Sequence, residues 1–156
     1  MKKGFTLLEL MIVMVILGVL AALISGNFLN SLKKGRDARR KADLEQMLRA
    51  NEMFYEDNGR YVTTSAEFYG SSDQLCHPLG CDKKIYMLRV PRDPRYSTCM
   101  YDVDPIGTTG YGIYSILEND KDTGQNVKQS GWTNDGTCCN GALCKYVVTS
   151  PNVTAP

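Results

Sequence analysis

The sequence predicts an α+β protein in which one long N-terminal helix packs against a small antiparallel β-sheet. Three observations support this class. An apolar run opens the chain, an amphipathic stretch with helical spacing follows it, and short segments rich in Tyr, Val and Ile occupy the second half. An antiparallel sheet laid on the amphipathic stretch would bury the apolar faces of both. At 156 residues, the chain has room for one globular domain beyond the helix.

The apolar run extends from Phe5 to Ile24 and contains one glycine and no proline. As a helix that rises about 1.5 Å per residue, it would cover roughly 30 Å, the thickness of the hydrocarbon core of a bilayer. We therefore expect residues 5–25 to form a transmembrane helix. Glu9 is the exception within it, because an unpaired carboxylate in lipid costs at least a few kcal/mol. Glu9 either has a functional partner or lies in the headgroup region without a role.

The segment Lys3-Gly4-Phe5-Thr6-Leu7-Leu8-Glu9 marks the start of the run. It resembles the processing signature of type IV pilins and of the major pseudopilins of type II secretion. The resemblance implies that prepilin peptidase cuts between Gly4 and Phe5, that residues 1–4 are a leader peptide, and that the new amino terminus at Phe5 is N-methylated. It also implies that Glu9 pairs with the terminal amine of a neighbouring subunit and sets the register of a helical fibre.

A secretory signal peptide is the alternative interpretation of the same N-terminus. Met1-Lys2-Lys3 supplies its basic start, and Ala21-Ala22 or Ser25-Gly26 would be the cleavage site after the apolar run. The mature chain would then be a secreted, disulfide-rich binding module that lacks the apolar helix. Periodicity does not separate the two interpretations, and the resemblance favours processing at Gly4.

Beyond the apolar run, residues 26–57 are predicted to form an amphipathic stem helix that continues into the head. Its apolar face is predicted to comprise Leu44, Met47, Leu48, Phe54 and Tyr55, with most of Arg39, Arg40, Asp43, Arg49 and Glu52 elsewhere. Asn58-Gly59 is predicted to end the helix, because both residue types tolerate the left-handed conformation. Many relatives carry a proline near Gly26, and the sequence leaves open whether the stem melts there.

Residues 58–156 are predicted to form a disulfide-stapled globular head. Within it, 62–84 is predicted to be a loop, and strands are predicted over 85–90, 98–103, 111–118 and 145–149. The tail from Ser150 onward is expected to fray.

Six cysteines lie in the head: Cys76, Cys81, Cys99, Cys138, Cys139 and Cys144. Because the CxxC pairs typical of zinc sites are missing, we interpret them as disulfides formed outside the cytoplasm. The sequence does not determine how they pair. Separate partners are expected for the neighbours Cys138 and Cys139, with one of them closing a loop to Cys144.

Charge is distributed unevenly along the chain. Residues 33–41, the basic collar, hold six cations and one acid, whereas from Ala42 to the end ten Lys and Arg face fifteen Asp and Glu, a net charge of −5. The collar predicts contacts with anionic lipid headgroups or with acids of neighbouring subunits. By the positive-inside rule it would keep the head in the cytoplasm, but the cysteines outweigh that argument. The acidic head gives no indication of DNA binding.

The sequence contains no recognisable catalytic set, so an enzyme is not predicted. Glu118, Asn119, Asp120 and Asp122 place oxygen donors close enough together to hold calcium. The major pseudopilins that the head resembles bind calcium in a loop at about this place, although Lys121 departs from their ligand pattern. A calcium site and a solvated polar turn both remain open, and no other cofactor is expected.

The resemblance as a whole implies a structural subunit. The first expectation is a pilin of a type IV pilus or similar fibre, and the alternative is a major pseudopilin of a type II secretion system. The implied partners are further copies of the chain in a helical fibre, prepilin peptidase and a membrane assembly platform. Before assembly the subunit would lie in the lipid of the inner membrane, and afterwards in a periplasmic or extracellular fibre.

Overall fold

The computed structural model describes residues 4–132 and 138–154, without the side chains at 24–27 and 140. In chain order, its elements are α1 (Leu7–Asn58), α2 (Ser65–Tyr69), β1 (Leu75–His77), β2 (Gly80–Met87), β3 (Asp102–Ile106), β4 (Gly110–Ser115), a 3-10 turn (Cys139–Gly141) and β5 (Tyr146–Thr149). The predicted α+β class, a long N-terminal helix on a small antiparallel sheet, is confirmed.

Helix α1 ends where the sequence predicts. Gly59 adopts the left-handed conformation (φ +68°), and its N–H donates to the carbonyl of Tyr55 at 2.8 Å. The axes of Leu7–Leu23 and Phe28–Asn58 differ by 44°. Gly26 lies between these two segments, among the residues 24–27 whose side chains the structure does not describe. Whether the stem melts at Gly26 therefore stays an open prediction.

Membrane spanning was also predicted for the first part of α1. Judged by length and composition, no single helix among the described residues is long and apolar enough to cross a membrane. The bent pair Leu7–Leu23 and Phe28–Asn58 meets that requirement when the two segments are taken together. The transmembrane helix over 5–25 therefore stays a prediction.

The second half of α1 carries a continuous buried stripe. Spacings of three and four residues place Asp37, Arg40, Leu44, Met47, Asn51 and Phe54 on one face, and all six are buried. Two predictions about this face were wrong. Arg40 is fully buried and Asp43 is nearly so, because both bind polar groups of the head, whereas Tyr55 is 43% exposed and stacks on Tyr61.

The described residues of the head form two antiparallel sheets instead of the single sheet expected. β1 and β2 form a hairpin, and β3, β4 and β5 form a three-stranded sheet with β4 in the centre. In the larger sheet, Val103 pairs with Ile113 and Ile113 with Val148. Strands β2, β4 and β5 all contact α1, so the core lies between the helix and both sheets.

Several predicted boundaries in the head were wrong. The predicted loop 62–84 contains α2, β1 and the start of β2, because a disulfide and a tight turn close a hairpin there. The strand predicted over 98–103 lies instead at Asp102–Ile106 (β3). β3 is an edge strand of its sheet, and an edge strand can contain a proline such as Pro105. The expected fraying does not extend to Ser150, which is buried and whose N–H donates to the carbonyl of Tyr111.

Candidate processing and assembly site

The predicted processing site lies in exposed backbone immediately before α1. Gly4 and Phe5 are exposed, and Thr6 is the extended N-cap residue of the helix. The Thr6 hydroxyl accepts from the N–H of Glu9 at 3.3 Å. In return, Glu9 Oε2 accepts from the N–H and the hydroxyl of Thr6, each at 2.9 Å. This is a capping box, and the sequence signal for it is the spacing Thr6-x-x-Glu9, which our sequence analysis overlooked.

The capping box gives Glu9 partners within its own chain. Both donors from Thr6 are neutral and bind Oε2, so they occupy part of the hydrogen-bonding capacity of the carboxylate without cancelling its charge. A charged amine makes a shorter and stronger hydrogen bond to a carboxylate than a neutral donor does. The arrangement therefore leaves the charge of Glu9 available to an external cation, and its pairing with the amine of a neighbour stays a prediction.

A second polar arrangement joins the stem to the head. We call it the stem–head ion cluster, and its members are Arg36, Asp37, Arg40, Asp93, Arg95 and Glu118. At its centre, Arg40 donates to Asp37 at 2.7 Å, to Asp93 at 2.7 and 3.1 Å, and to Glu118 at 2.9 Å. Arg36 forms a bidentate ion pair with Glu118, in which Nη2 and Nε donate to the two carboxylate oxygens at 2.6 and 2.8 Å. Three acids thus surround one fully buried guanidinium.

Backbone groups complete the cluster. Asp37 accepts from the N–H groups of Glu118 and Asn119 at 3.0 and 2.8 Å, and Asp93 accepts from the N–H groups of Arg95 and Tyr96. A buried ion pair is stable only when such bonds occupy its remaining donors and acceptors. The cluster therefore fixes the stem against two separate loops of the head.

The electrostatics of the cluster favour the ionised acids. The hydrogen bonds from Arg36, and then those from Arg40, lower the pKa of Glu118 to about 2 although burial opposes them. Burial also works against ionisation of Asp93, yet the hydrogen bonds from Arg40 hold its pKa below the ordinary value. Acid protonates these groups and is therefore expected to weaken the attachment of the stem to the head.

The cluster changes the interpretation of the basic collar. Lipid headgroups or neighbouring subunits were expected to bind its six cations, but Arg36, Arg40 and Lys41 pair with acids of the chain's own head. The other three cations, Lys33, Lys34 and Arg39, are exposed. These three cations are the most accessible part of the collar, so the folded chain presents fewer exposed cations to lipid or to another subunit than the composition suggests.

The six cysteines form three disulfides, so the prediction of disulfide bonding is confirmed. Cys76 pairs with Cys81, Cys99 with Cys139, and Cys138 with Cys144. The neighbours Cys138 and Cys139 have separate partners, as expected. One of them closes a C-terminal loop and the other ties that loop to the segment before β3.

The four candidate calcium ligands face different partners. The Glu118 carboxylate belongs to the stem–head ion cluster, Asp120 pairs with Lys145 at 2.7 Å, and Asp122 pairs with Lys41 at 2.7 Å. The Asn119 side chain accepts from the N–H of Lys121. Among the residues the structure describes, no group of three or more Asp, Glu, His or Cys residues could hold a metal ion. As they lie, the four side chains do not form a calcium site.

Comparison with known proteins identifies the family. A model of the prokaryotic N-terminal methylation motif matches residues 1–25. Over 148 residues, the chain is 30% identical to "Type II secretion system core protein G" of Dickeya chrysanthemi, an alignment that covers 90% of this chain and 96% of the relative. The chain belongs to the type IV pilin and major pseudopilin family. Members of this family are structural subunits.

Two further relatives extend this comparison. "Type II secretion system core protein G" of Pseudomonas aeruginosa is 30% identical over 127 residues, which is 79% of this chain and 88% of the relative. The protein of the same name from Klebsiella pneumoniae is 35% identical over 96 residues, which is 60% of this chain and 69% of the relative. No solved structure gives a significant match. The methylation-motif match covers the N-terminal 25 residues, which include the capping box and the apolar segment.

Proposed function

We propose that the protein is the major pseudopilin of a type II secretion system, the alternative in our sequence analysis, instead of the pilin of a long type IV pilus. The observation that carries this proposal is the 30% identity over 96% of the Dickeya chrysanthemi core protein G. That similarity extends beyond the N-terminal segment and includes the head. The chain would form a short helical fibre that moves secreted proteins outward through the periplasm.

The two halves of α1 support a subunit of this kind. The large apolar side chains from Phe5 to Leu23 are 49–85% exposed, and such a surface requires lipid or other protein around it. Before assembly, the inner membrane would cover residues 5–25. In the fibre, the same surface would pack against neighbouring copies, with Glu9 bound to the methylated amine of Phe5 in the next subunit.

Processing at Gly4 is part of the proposal. Gly4 and Phe5 are exposed and lie just before the first turn of α1, where a peptidase can reach the bond between them. The methylation-motif match over residues 1–25 favours cleavage before the apolar segment over removal of that segment as a signal peptide. Prepilin peptidase and a membrane assembly platform are therefore the proposed partners, and no enzymatic activity is proposed.

The proposal is tested in a bacterium that lacks its own core protein G. The gene for this chain is supplied, and both the secretion of a type II substrate and the N-terminal mass of the chain are measured. We expect a mature chain that begins at methylated Phe5 and restores secretion. Long surface fibres without secretion would identify a pilin instead, and a mature chain that begins near Gly26 would remove the fibre hypothesis.

A matched pair of variants tests the role of Glu9. Glu9→Gln keeps the side-chain size and can still accept a hydrogen bond in the capping box, but it carries no charge for the amine of a neighbour. We expect it to be processed and to remain unassembled in the membrane. Glu56→Gln removes one exposed acid from the other end of the same helix and should assemble normally. Equal assembly of both variants would show that Glu9 does not set the register.

A further inference from the structure

The loop 118–129 connects β4 to the last part of the head and holds three acids close to the stem. Family resemblance implies calcium here, and calcium prefers six to eight oxygen ligands that converge on one point. In this chain the acids diverge. The carboxylates of Asp120 and Asp122 point to two different lysines, and Glu118 points to the arginines of the stem. Each carboxylate already has a cation belonging to the chain.

The main-chain carbonyls of the loop have an internal partner as well. The side-chain amide of Gln129 donates through Nε2 to the carbonyl of Asp122 at 2.7 Å and to that of Asn119 at 3.3 Å. These two carbonyls converge on one donor, as they would on a cation. The two hydrogens of a side-chain amide NH₂ group carry partial positive charge, so the group can donate to both carbonyls without a metal.

Lys41 and Lys145 anchor the same loop from two sides. Lys41 extends from α1 to Asp122 at 2.7 Å, and its ammonium also lies 5.2 Å from the ring centre of Tyr146. Lys145, the residue just before β5, places its ammonium 2.7 Å from the Asp120 carboxylate. The Asp122 carboxylate is 19% exposed and its partner Lys41 is 29% exposed, whereas Asp120 is 81% exposed. The contact from Lys41 is therefore the less solvated and the stronger of the two.

We infer that Lys41, Lys145 and Gln129 form a latch that holds the loop 118–129 closed in place of a bound calcium ion. The latch uses one ammonium for each outer carboxylate and one amide for the pair of carbonyls. It makes the folded head independent of calcium. This inference concerns how the head keeps its shape and does not depend on the role of the protein in secretion.

The first test measures thermal unfolding of the mature full-length chain in detergent micelles. The fluorescence of its single tryptophan, Trp132, reports on the head just beyond the loop. Melting is compared in EDTA and in calcium chloride. We expect the two midpoints to agree within about 1 °C. A rise of roughly 5 °C or more with calcium is the result expected of a filled metal site, and it would overturn the latch.

The second test removes the latch one group at a time. Lys41→Met takes the cation from Asp122 while retaining most of the apolar stem of the side chain. We expect its midpoint to fall by about 3 °C or more. The control is Lys121→Met, which removes one positive charge from the loop itself, because the Lys121 ammonium forms no ion pair among the described residues. Equal midpoints for the two variants would contradict the inference.

The third test converts the latch into a metal site. Gln129→Glu places a carboxylate oxygen beside two carbonyl oxygens, so the variant should be destabilised in EDTA and recover in calcium. Isothermal titration of the wild type and the variant with calcium chloride gives an independent measurement. We expect saturable binding by the variant and none by the wild type. Binding by the wild type, or a variant that stays as stable as the wild type in EDTA, would refute the latch.

Discussion

The first and second halves of α1 share a backbone conformation but differ in what covers them. From Leu7 to Leu23 the apolar side chains are exposed, whereas from Asp37 to Phe54 one face is buried against the head. Apart from Glu9, the first half is apolar on all sides, whereas the second half carries charged, apolar and amide groups along a single buried stripe. The comparison teaches that one helix serves two interfaces, of which only the second is completed within the monomer.

The largest expected difference between the halves concerns charge. Arg40→Met would leave Asp37 and Asp93 without their cation, while Glu118 would keep Arg36 and Arg95. Breaking a buried pair in this way costs about 3–5 kcal/mol. Urea unfolding followed by Trp132 fluorescence measures the loss. Arg39→Met, one residue earlier and exposed, is the control and should change stability by less than about 0.5 kcal/mol. Similar losses in both variants would show that the cluster does not hold the stem.

A matched pair of methionines compares the two halves directly. Met47 is fully buried and Met14 is 66% exposed. Met47→Ala should reduce the unfolding free energy of the head by about 2–5 kcal/mol, because it deletes buried methylene groups and leaves a cavity. Met14→Ala should leave the unfolding of the head in detergent unchanged, and its effect should appear only in fibre assembly. A large loss of head stability from Met14→Ala would mean that the first half also packs on the head.

Acid should weaken the second half selectively. The pKa of Glu118 is lowered to about 2, below that of an unfolded glutamate, so the unfolded chain binds more protons as the pH falls. Stability is therefore full above about pH 5 and declines towards pH 2, by about 3 kcal/mol for this one group. Urea unfolding at several pH values measures the slope, which Glu118→Gln should reduce. A stability that stays flat over this range would contradict the assignment.

The smallest expected effect lies at the start of the first half. Thr6→Val removes the capping box and should loosen the first turn of α1 by about 1 kcal/mol. Hydrogen exchange at the amide of Glu9, which donates to the Thr6 hydroxyl, should accelerate, while urea unfolding of the head stays unchanged. The comparison variant is Thr64→Val, at the N-cap of α2, which should lower the stability of the head because Phe68 and Tyr69 of α2 are buried.

The sequence predicted the elements whose signals are local. Three such signals are the apolar run of twenty residues, the helical spacing of Leu44 and Met47, and the helix end at Gly59. Each of them depends on residues that are close together in the sequence. The processing segment is likewise contiguous, so it is recognisable without a fold. The capping box at Thr6 was equally available in the sequence, and its spacing would have given Glu9 a partner before assembly.

The tertiary structure decided everything that depends on residues distant in the chain. Asp93 and Glu118 lie more than fifty positions from Arg40 in the sequence. Arg40 belongs to the core only because the fold brings both acids to its guanidinium. The Cys99–Cys139 disulfide and the register of β4 against β5 depend on the same kind of contact. The acidic loop followed this rule too, because Lys41 approaches it from the stem. Composition alone predicts a charge, whereas its energy depends on the partner that the fold places beside it.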